Sequence, residues 1–179
     1  MDLSYIVRIV PALLRGAGVT LALFALVFPL SLPLGFLITL CANCRFKPVK
    51  WLAEAYIFVM RGTPLMLQLF FFYYGLPFLP GIGQYLRLSS FAAAALSFTL
   101  NYAAYFAEIF RGGLLSIDRG QYEVSHVLGL TSFQTMTRII IPQMIRVTLP
   151  SIGNEAITLV KDTALVASIA LPELLHYAK

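Results

Sequence analysis

The chain has 179 residues, of which 59% are hydrophobic and 12% are charged, whereas soluble domains are roughly 45–50% apolar and 25% charged. Its mean hydropathy of +0.83 excludes an ordinary water-soluble domain. The net charge of +5 is scattered between apolar stretches instead of forming one basic face, which excludes a nucleic-acid partner. At about 20 apolar residues per crossing, the length suits four or five transmembrane helices.

Four apolar stretches are predicted to cross the membrane. In chain order they run from Gly18 to Ala42, from about Trp51 to Leu79, from about Ser89 to Phe110 and from about Ile139 to Leu171. Pro29 and Pro33 lie inside the first, where neighbouring helices can satisfy the freed backbone groups. The fourth is compatible with one kinked span followed by a short re-entrant piece.

The second stretch is interrupted by Arg61-Gly62-Thr63-Pro64. A residue that precedes proline is biased away from the helical conformation, so the freed backbone groups need other partners. We therefore predict a helix break that lines a cavity. The aromatic run from Phe70 to Tyr74 is predicted to face lipid or the membrane interface.

Positive charges predict the orientation. The loop between the first two spans holds Arg45, Lys47 and Lys50 without a nearby acid, which places it in the cytoplasm. The N-terminus is then outside, as is the loop from Leu76 to Ser90, and the polar stretch from Arg111 to Arg138 is cytoplasmic.

The two cysteines, Cys41 and Cys44, have the spacing of a redox or metal motif. Either role needs partners, and His126 and His176 lie far away in the sequence. We expect two small residues at a helix end and no metal site.

The most polar segment lies between the third and fourth spans and reads GGLLSIDRGQYEVSHVLGLTSFQTMTRIIIPQ. A short helix is predicted from Gln121 to Leu128, ended by Gly129, because glycine accepts a left-handed backbone. Thr131 or Ser132 is expected to cap the next helix. The short helix is expected to expose Tyr122, Glu123, Ser125 and His126 and to pack through Val124, Val127 and Leu128.

This segment resembles the Glu-Ala-Ala loop of the permease subunits of bacterial ATP-binding-cassette (ABC) importers. In that loop Glu-Ala-Ala is followed by three residues, Gly, nine residues, Ile, one residue and Leu-Pro. The residues at matching positions here are Glu123, Gly129, Ile139 and Pro142. Val124 and Ser125 replace the alanines, and Ile141 replaces the leucine.

Three further stretches resemble permeases for polar amino acids of the histidine, glutamine or arginine type. They run from Glu54 to Pro77, from Tyr105 to Glu123 and from Asn154 to Glu173. The resemblance implies an all-α, polytopic transmembrane bundle of the type I importer (MetI-like) class. It further implies a single permease domain over residues 1–179 with a coupling loop at about 112–133. Four spans are visible, and the fifth helix of the family is expected but absent.

The resemblance also implies partners. The sequence has no G-x-x-x-x-G-K-[ST] phosphate loop, so ATP and Mg are expected on a separate ATPase subunit, and the chain is expected to be neither an enzyme nor a cofactor-binding protein. In the family the loop docks into that subunit, which assigns the coupling role to Gln121, Tyr122, Glu123, Val124, Ser125, Leu128 and Gly129. A second permease subunit, like or closely related, an external solute-binding protein, alternating access and a bacterial plasma (inner) membrane location are implied as well.

The fourth span contains Glu155, Lys161 and Asp162. Such charges cost roughly 2.5–3.5 kcal/mol each at a helix centre, so they are expected to face protein or water. Helical spacing places Asn154, Thr158, Lys161 and Leu165 on one stripe and Glu155, Thr158 or Leu159, and Asp162 on the next. A zwitterionic amino acid needs both signs, and two acids against one base favour a cationic or polar substrate. Alternatively, Lys161 pairs with an acid or with the dimer partner as structural glue.

The third span adds further polar residues. Glu108 and Arg111 form a local ion pair or, alternatively, a gate. Asn101 and Tyr105, one turn apart, could line the pathway. The candidate substrate-binding residues are therefore Asp162, Glu155, Asn154, Lys161, Thr158, Asn101 and Tyr105.

Two other classes of membrane protein, an intramembrane hydrolase and a secondary transporter or channel, fit the sequence less well. An intramembrane hydrolase needs a nucleophile and a base at membrane depth, but neither histidine is mid-span and no paired aspartates stand in separate spans. A secondary transporter or channel also uses intramembrane charges. The coupling-loop pattern favours the ABC permease.

Overall fold

The computed structural model describes residues 3–169, and within them the chain is helical without strands. The helices are α1 (Leu3–Ala42), α2 (Lys47–Gly62), α3 (Leu65–Phe70), α4 (Ser90–Ser116), α5 (Arg119–Val127), α6 (Ser132–Thr135) and α7 (Ile141–Asp162). A π-helix (Phe71–Gly75) extends α3, a second one (Met136–Ile140) joins α6 to α7, and a 3-10 helix (Thr163–Ile169) follows α7. The predicted all-α class is confirmed. The end of the predicted fourth span at Leu171, Glu173 and His176 lie outside the described residues.

Helix α1 continues through Pro29 and Pro33, as predicted, and begins well before the predicted span. Its apolar part, Gly16–Ala42, is long and apolar enough to cross a membrane. Large side chains such as Leu21 and Leu37 are exposed along it. An exposed apolar surface of this length suits contact with lipid.

Length and composition identify fewer spans than the predicted four. Among the described residues, Gly16–Ala42 is the one helical segment long and apolar enough to cross a membrane by itself. Lys47–Gly62 and Leu65–Phe78 reach that length and hydropathy only if they count together as one span despite a bend of 104°. Helix α4 does not need an apolar exterior, since much of its surface, including Asn101 and Tyr102, is buried against other helices. The count of four stays a prediction.

Helices α1 and α4 pack closely along a stripe of small residues on α1. On α1, Ser31, Gly35 and Thr39 recur every four residues; a Cβ placed on Gly35 would lie 2.7 Å from Cβ of Phe106. The Ser31 hydroxyl donates to the Thr99 carbonyl at 3.3 Å, and the Thr39 hydroxyl donates to that of Ala107 at 2.9 Å. Small residues allow the two backbones to approach this closely, and hydrogen bonds from hydroxyl groups further stabilise helix association within a membrane.

The hydrophobic core lies between α1, α4 and α7. Phe98 and Phe106 of α4 are fully buried and pack with Leu23 of α1 and with Leu159 of α7. Helices α4 and α7 are in tight contact at Gly113, where a Cβ would collide with Cγ2 of Thr148 and lie 2.9 Å from Cγ of Met144.

The aromatic run after α3 is only partly exposed. Phe70 and Tyr73 pack against the core, whereas Phe71 and Tyr74 are exposed. One face of the run is therefore open to the surroundings, and the lipid-facing or interfacial belt stays a prediction for that face. The other face is turned inward because the run is helical.

We expect Gly35→Ala to destabilise the protein by about 1–3 kcal/mol, because the added methyl overpacks the contact between α1 and α4. The measurement is thermal unfolding of the purified protein in detergent. The matched control is Gly18→Ala, in the same helix, where a Cβ meets nothing within 4 Å. Equal melting temperatures for the two variants would contradict the close contact.

Candidate solute cavity and coupling segment

The predicted break between α2 and α3 is confirmed. Helix α2 ends at Gly62, and Thr63 (φ −116°, ψ 143°) and Pro64 (φ −61°, ψ 134°) are extended. Helix α3 then leaves at 104° to α2. In a continuous helix the Met60 carbonyl would accept from the N–H of residue 64, but proline has none.

Two buried amide side chains satisfy the carbonyls at this break. Gln68 Nε2 donates to the Met60 carbonyl at 2.8 Å, to the Thr63 hydroxyl at 2.8 Å and to the Thr63 carbonyl at 3.2 Å. Asn101 Nδ2 donates to the Met60 carbonyl at 3.0 Å and to Oε1 of Gln68 at 3.1 Å. These bonds attach the break to α4.

A cavity of about 420 Å³ opens beside the break. Its volume lies within the range of about 300–1,000 Å³ of small-molecule sites. Three segments line it: the break itself, α4 and α7. The lining residues are Arg61, Gly62, Thr63, Pro64, Leu65, Asn101, Tyr102, Tyr105, Glu155, Thr158 and Asp162.

Five of the seven predicted substrate-binding residues meet in this cavity. They are Asn101, Tyr105, Glu155, Thr158 and Asp162. Asn154 and Lys161 do not line it, and both are exposed. Within residues 3–169 Lys161 forms no ion pair with Glu155 or Asp162, so the structure offers no intrachain contact for the alternative of structural glue.

The cavity contains two acids and one base. The Tyr102 hydroxyl donates to Oδ2 of Asp162 at 2.7 Å, which fixes that carboxylate. Glu155 lies two helical turns before Asp162 on the same face of α7 and is partly buried. Arg61 is the base, and its guanidinium lies over the ring of Tyr105, 5.3 Å from the centroid, as in cation–π pairs. The arrangement can bind a cationic group at the acids and an anionic group at Arg61.

A second cavity of about 580 Å³ shares Arg61 and Gly62 with the first. It reaches the start of α2, where Lys50 and Glu54 are 3.7 Å apart. It also contains Glu108 and Arg111, and the predicted pair between them is confirmed at 2.6 and 3.0 Å. Arg61 adds a third member, since its Nη1 lies 3.6 Å from Oε2 of Glu108.

Sequence reasoning missed Gln68 and Tyr102. Gln68 is the one polar residue in an otherwise apolar hexamer, Leu65–Phe70, which could have marked it as a partner for the break. Tyr102 follows Asn101 directly and resembles any buried aromatic residue. Only its distance to Asp162 reveals its role.

The coupling segment has the predicted short helix, although it runs from Arg119 to Val127 and not from Gln121 to Leu128, and Gly129 and Thr131 have their predicted roles. Helix α5 begins after Asp118, whose carboxylate accepts from the N–H of Gly120 at 2.6 Å, and Gly129 has the expected positive φ of +72°. Thr131 caps α6 with a reciprocal bond to Gln134. Gln143 Nε2 donates to Oε1 of Gln121 at 3.2 Å, which joins α5 to α7.

The predicted faces of α5 are partly wrong: Tyr122, Glu123 and His126 are exposed as predicted, but Ser125 and the apolar residues are not where they were expected. Ser125 is buried and donates to the Gln121 carbonyl, whereas Val124, Val127 and Leu128 are 59%, 88% and 68% exposed. The small Ser125 side chain turns towards the protein, so helical geometry carries the larger residues outward. We call the exposed residues Val124, Val127, Leu128 and Phe133 the coupling patch.

The two cysteines are free thiols. Within residues 3–169, no three potential metal ligands among His, Cys, Asp and Glu come together.

We expect Asn101→Ala to destabilise the protein by about 1–3 kcal/mol, because Oε1 of Gln68 loses its donor and the Met60 carbonyl keeps only one. Thermal unfolding in detergent measures the change. Ser97→Ala, one turn earlier, is the control, since the buried Ser97 hydroxyl has no hydrogen-bond partner among the described residues. An equal effect of both changes would contradict the role given to Asn101.

Comparison with known proteins identifies the family. Residues 31–177 match the family described as "binding-protein-dependent transport system inner membrane component". The probable amino-acid ABC transporter permease protein YckA of Bacillus subtilis (strain 168) is 39% identical over 169 residues, which are 94% of this chain and 73% of the relative. The arginine transport system permease protein ArtQ of the same organism is 38% identical over 178 residues, 99% of this chain and 80% of the relative.

Solved structures agree in fold. The crystal structure of an amino acid ABC transporter with histidines has a TM-score of 0.87 at 36% identity, covering 97% of this chain and 79% of that one. The MetNI methionine ABC transporter in inward-facing conformations has a TM-score of 0.73 at 21% identity over the same shares, which shows the fold alone. The chain therefore belongs to the family of binding-protein-dependent transport system inner membrane components, the permease subunits of ABC transporters.

Proposed function

We propose that the chain is the permease subunit of an ABC importer for polar amino acids, including cationic ones. This proposal rests on the cavity beside the helix break, which Glu155, Asp162 and Arg61 line together. The names of its relatives support an amino acid as solute, since they include permeases for arginine, cystine and glutamine.

The chemistry of the cavity supports this class of solute. Glu155 and Asp162 bind a cationic group of the solute, and charge-assisted hydrogen bonds of this kind are among the stronger ones in proteins. Tyr102 already donates to one oxygen of Asp162, so the carboxylate is oriented before the solute arrives. A pre-oriented ligand group reduces the entropy that binding must cost.

The coupling patch supports a separate ATPase subunit as partner. It exposes Val124, Val127 and Leu128 next to polar residues of α5, and exposed apolar residues of this kind are typical of the core of an interface. We propose that the ATPase subunit binds the coupling patch of α5 on the cytoplasmic side of the membrane. The N-terminus of the chain then lies outside. A second permease subunit and an external solute-binding protein complete the transporter.

Alternating access would follow from rigid-body motion between two states. ATP binding by the partner moves α5, and the bond between Gln121 and Gln143 and the short α6 carry the motion into α7. Helix α7 bears Glu155 and Asp162, so the motion reaches the cavity.

We expect Glu155→Gln and Asp162→Asn each to raise the amino-acid concentration for half-maximal ATPase stimulation at least about tenfold, the effect of about 1.4 kcal/mol. The measurement uses the permease reconstituted with its ATPase and solute-binding subunits. Lys161→Gln is the matched control, because Lys161 was predicted to bind substrate from its place on the helix but does not line the cavity. We expect this variant to leave the half-maximal concentration unchanged. If Lys161→Gln raised this concentration and the Glu155 and Asp162 variants did not, the binding site would lie elsewhere.

We expect Val127→Asp to abolish amino-acid-stimulated ATPase activity and co-purification of the ATPase subunit, since a charge would enter the apolar interface. Phe46→Asp is the control: Phe46 is another exposed apolar residue, at the start of α2, and aspartate suits that N-cap position. Normal co-purification of the Val127 variant would exclude the patch as the docking surface.

A further inference from the structure

Arg61 lies where the two cavities meet. It lines both the cavity that holds Glu155 and Asp162 and the larger cavity that holds Glu108. Within residues 3–169 it is the one cation that lines the smaller cavity. A solute carboxylate in that cavity therefore has Arg61 as its nearest cationic partner.

The contact of Arg61 with Glu108 is looser than the contact of Arg111 with the same carboxylate. Arg111 binds both oxygens of Glu108, with Nε 3.0 Å from Oε1 and Nη2 2.6 Å from Oε2. The Arg61 guanidinium lies 3.6 Å from Oε2, beyond hydrogen-bond distance. Glu108 thus stays paired by Arg111 if Arg61 moves away.

The remaining contact of Arg61 permits such a move. Its guanidinium lies over the Tyr105 ring, and stacking on a ring face leaves the edge donors free for a planar carboxylate. Tyr105 lines the same cavity as Glu155 and Asp162, so the ring keeps the guanidinium at the cavity wall.

We propose that Arg61 binds the carboxylate of the transported amino acid and gives up its contact with Glu108 when it does so. The inference rests on the proposed function, because it requires the cationic group of the solute to occupy Glu155 and Asp162. It makes Glu108 a competitor of the solute, and it links solute binding to the charges of the second cavity. The specificity consequence is that a solute without a carboxylate gains nothing from Arg61.

The competition fixes the direction of three substitutions. Arg61→Gln removes the carboxylate partner and weakens amino-acid binding. Glu108→Gln removes the competitor and strengthens it. Arg111→Gln leaves Glu108 with Arg61 as its cation, so Arg61 is held more firmly and amino-acid binding weakens.

The test compares each amino acid with its decarboxylated amine. Arginine with agmatine and histidine with histamine are titrated against the reconstituted permease–ATPase complex without the solute-binding protein. In Arg61→Gln we expect the amino acids to bind at least about tenfold more weakly and the amines to change less than about twofold. In Glu108→Gln we expect the amino acids to bind several-fold more tightly, again without change for the amines.

The outcomes separate this inference from the proposed function. Equal weakening of amino acids and amines in Arg61→Gln, or no change in either, overturns the carboxylate role, and so does weaker amino-acid binding in Glu108→Gln. If the wild-type protein binds none of the four compounds, or if Glu155→Gln leaves the affinity for all four unchanged, the proposed site itself fails. Should Arg61→Gln not fold, Arg61→Lys decides with Glu108→Gln, since it keeps the charge but loses the planar fork and should retain part of the amino-acid preference.

Discussion

The Met60 and Thr63 carbonyls at the helix break need hydrogen-bond donors that their own helix does not supply. In a hydrocarbon environment no water replaces the lost donors, and each unsatisfied group costs several kcal/mol. Gln68 and Asn101 donate instead, from the following helix and from α4. The bend, the cavity beside it and the placement of Arg61 between two cavities all depend on these bonds.

Helix α4 is the element on which the functional contacts converge. Asn101 satisfies the break, Tyr102 orients Asp162, Tyr105 supports Arg61 and Glu108 pairs with both arginines. Their spacing follows one face of the helix. The opposite side of α4 is packed against the small residues of α1, so the face that serves the cavity is held at a fixed rotation.

Local rules predicted the local features. The break followed from the proline, the loop cap from Thr131 and the end of α5 from Gly129, because each depends on neighbouring residues in the chain. The rotation of α5 about its axis depends on what packs beneath Ser125, which its own sequence does not contain. Likewise, Arg61 lines the cavity and Lys161 does not. This depends on how the break after α2 packs against α4 and α7, which are distant in the sequence.

Helix α7 is held closest to its beginning, because the tight contact of Gly113 is with Met144 and Thr148 in the first third of the helix. At 1.5 Å per residue, about 10 Å of helix separates Thr148 from Ile141 and about 21 Å separates it from Asp162. A tilt of α7 about this contact would therefore displace Asp162 about twice as far as the beginning of the helix, in the opposite direction. Glu155 lies halfway along the longer arm and would move about half as far as Asp162.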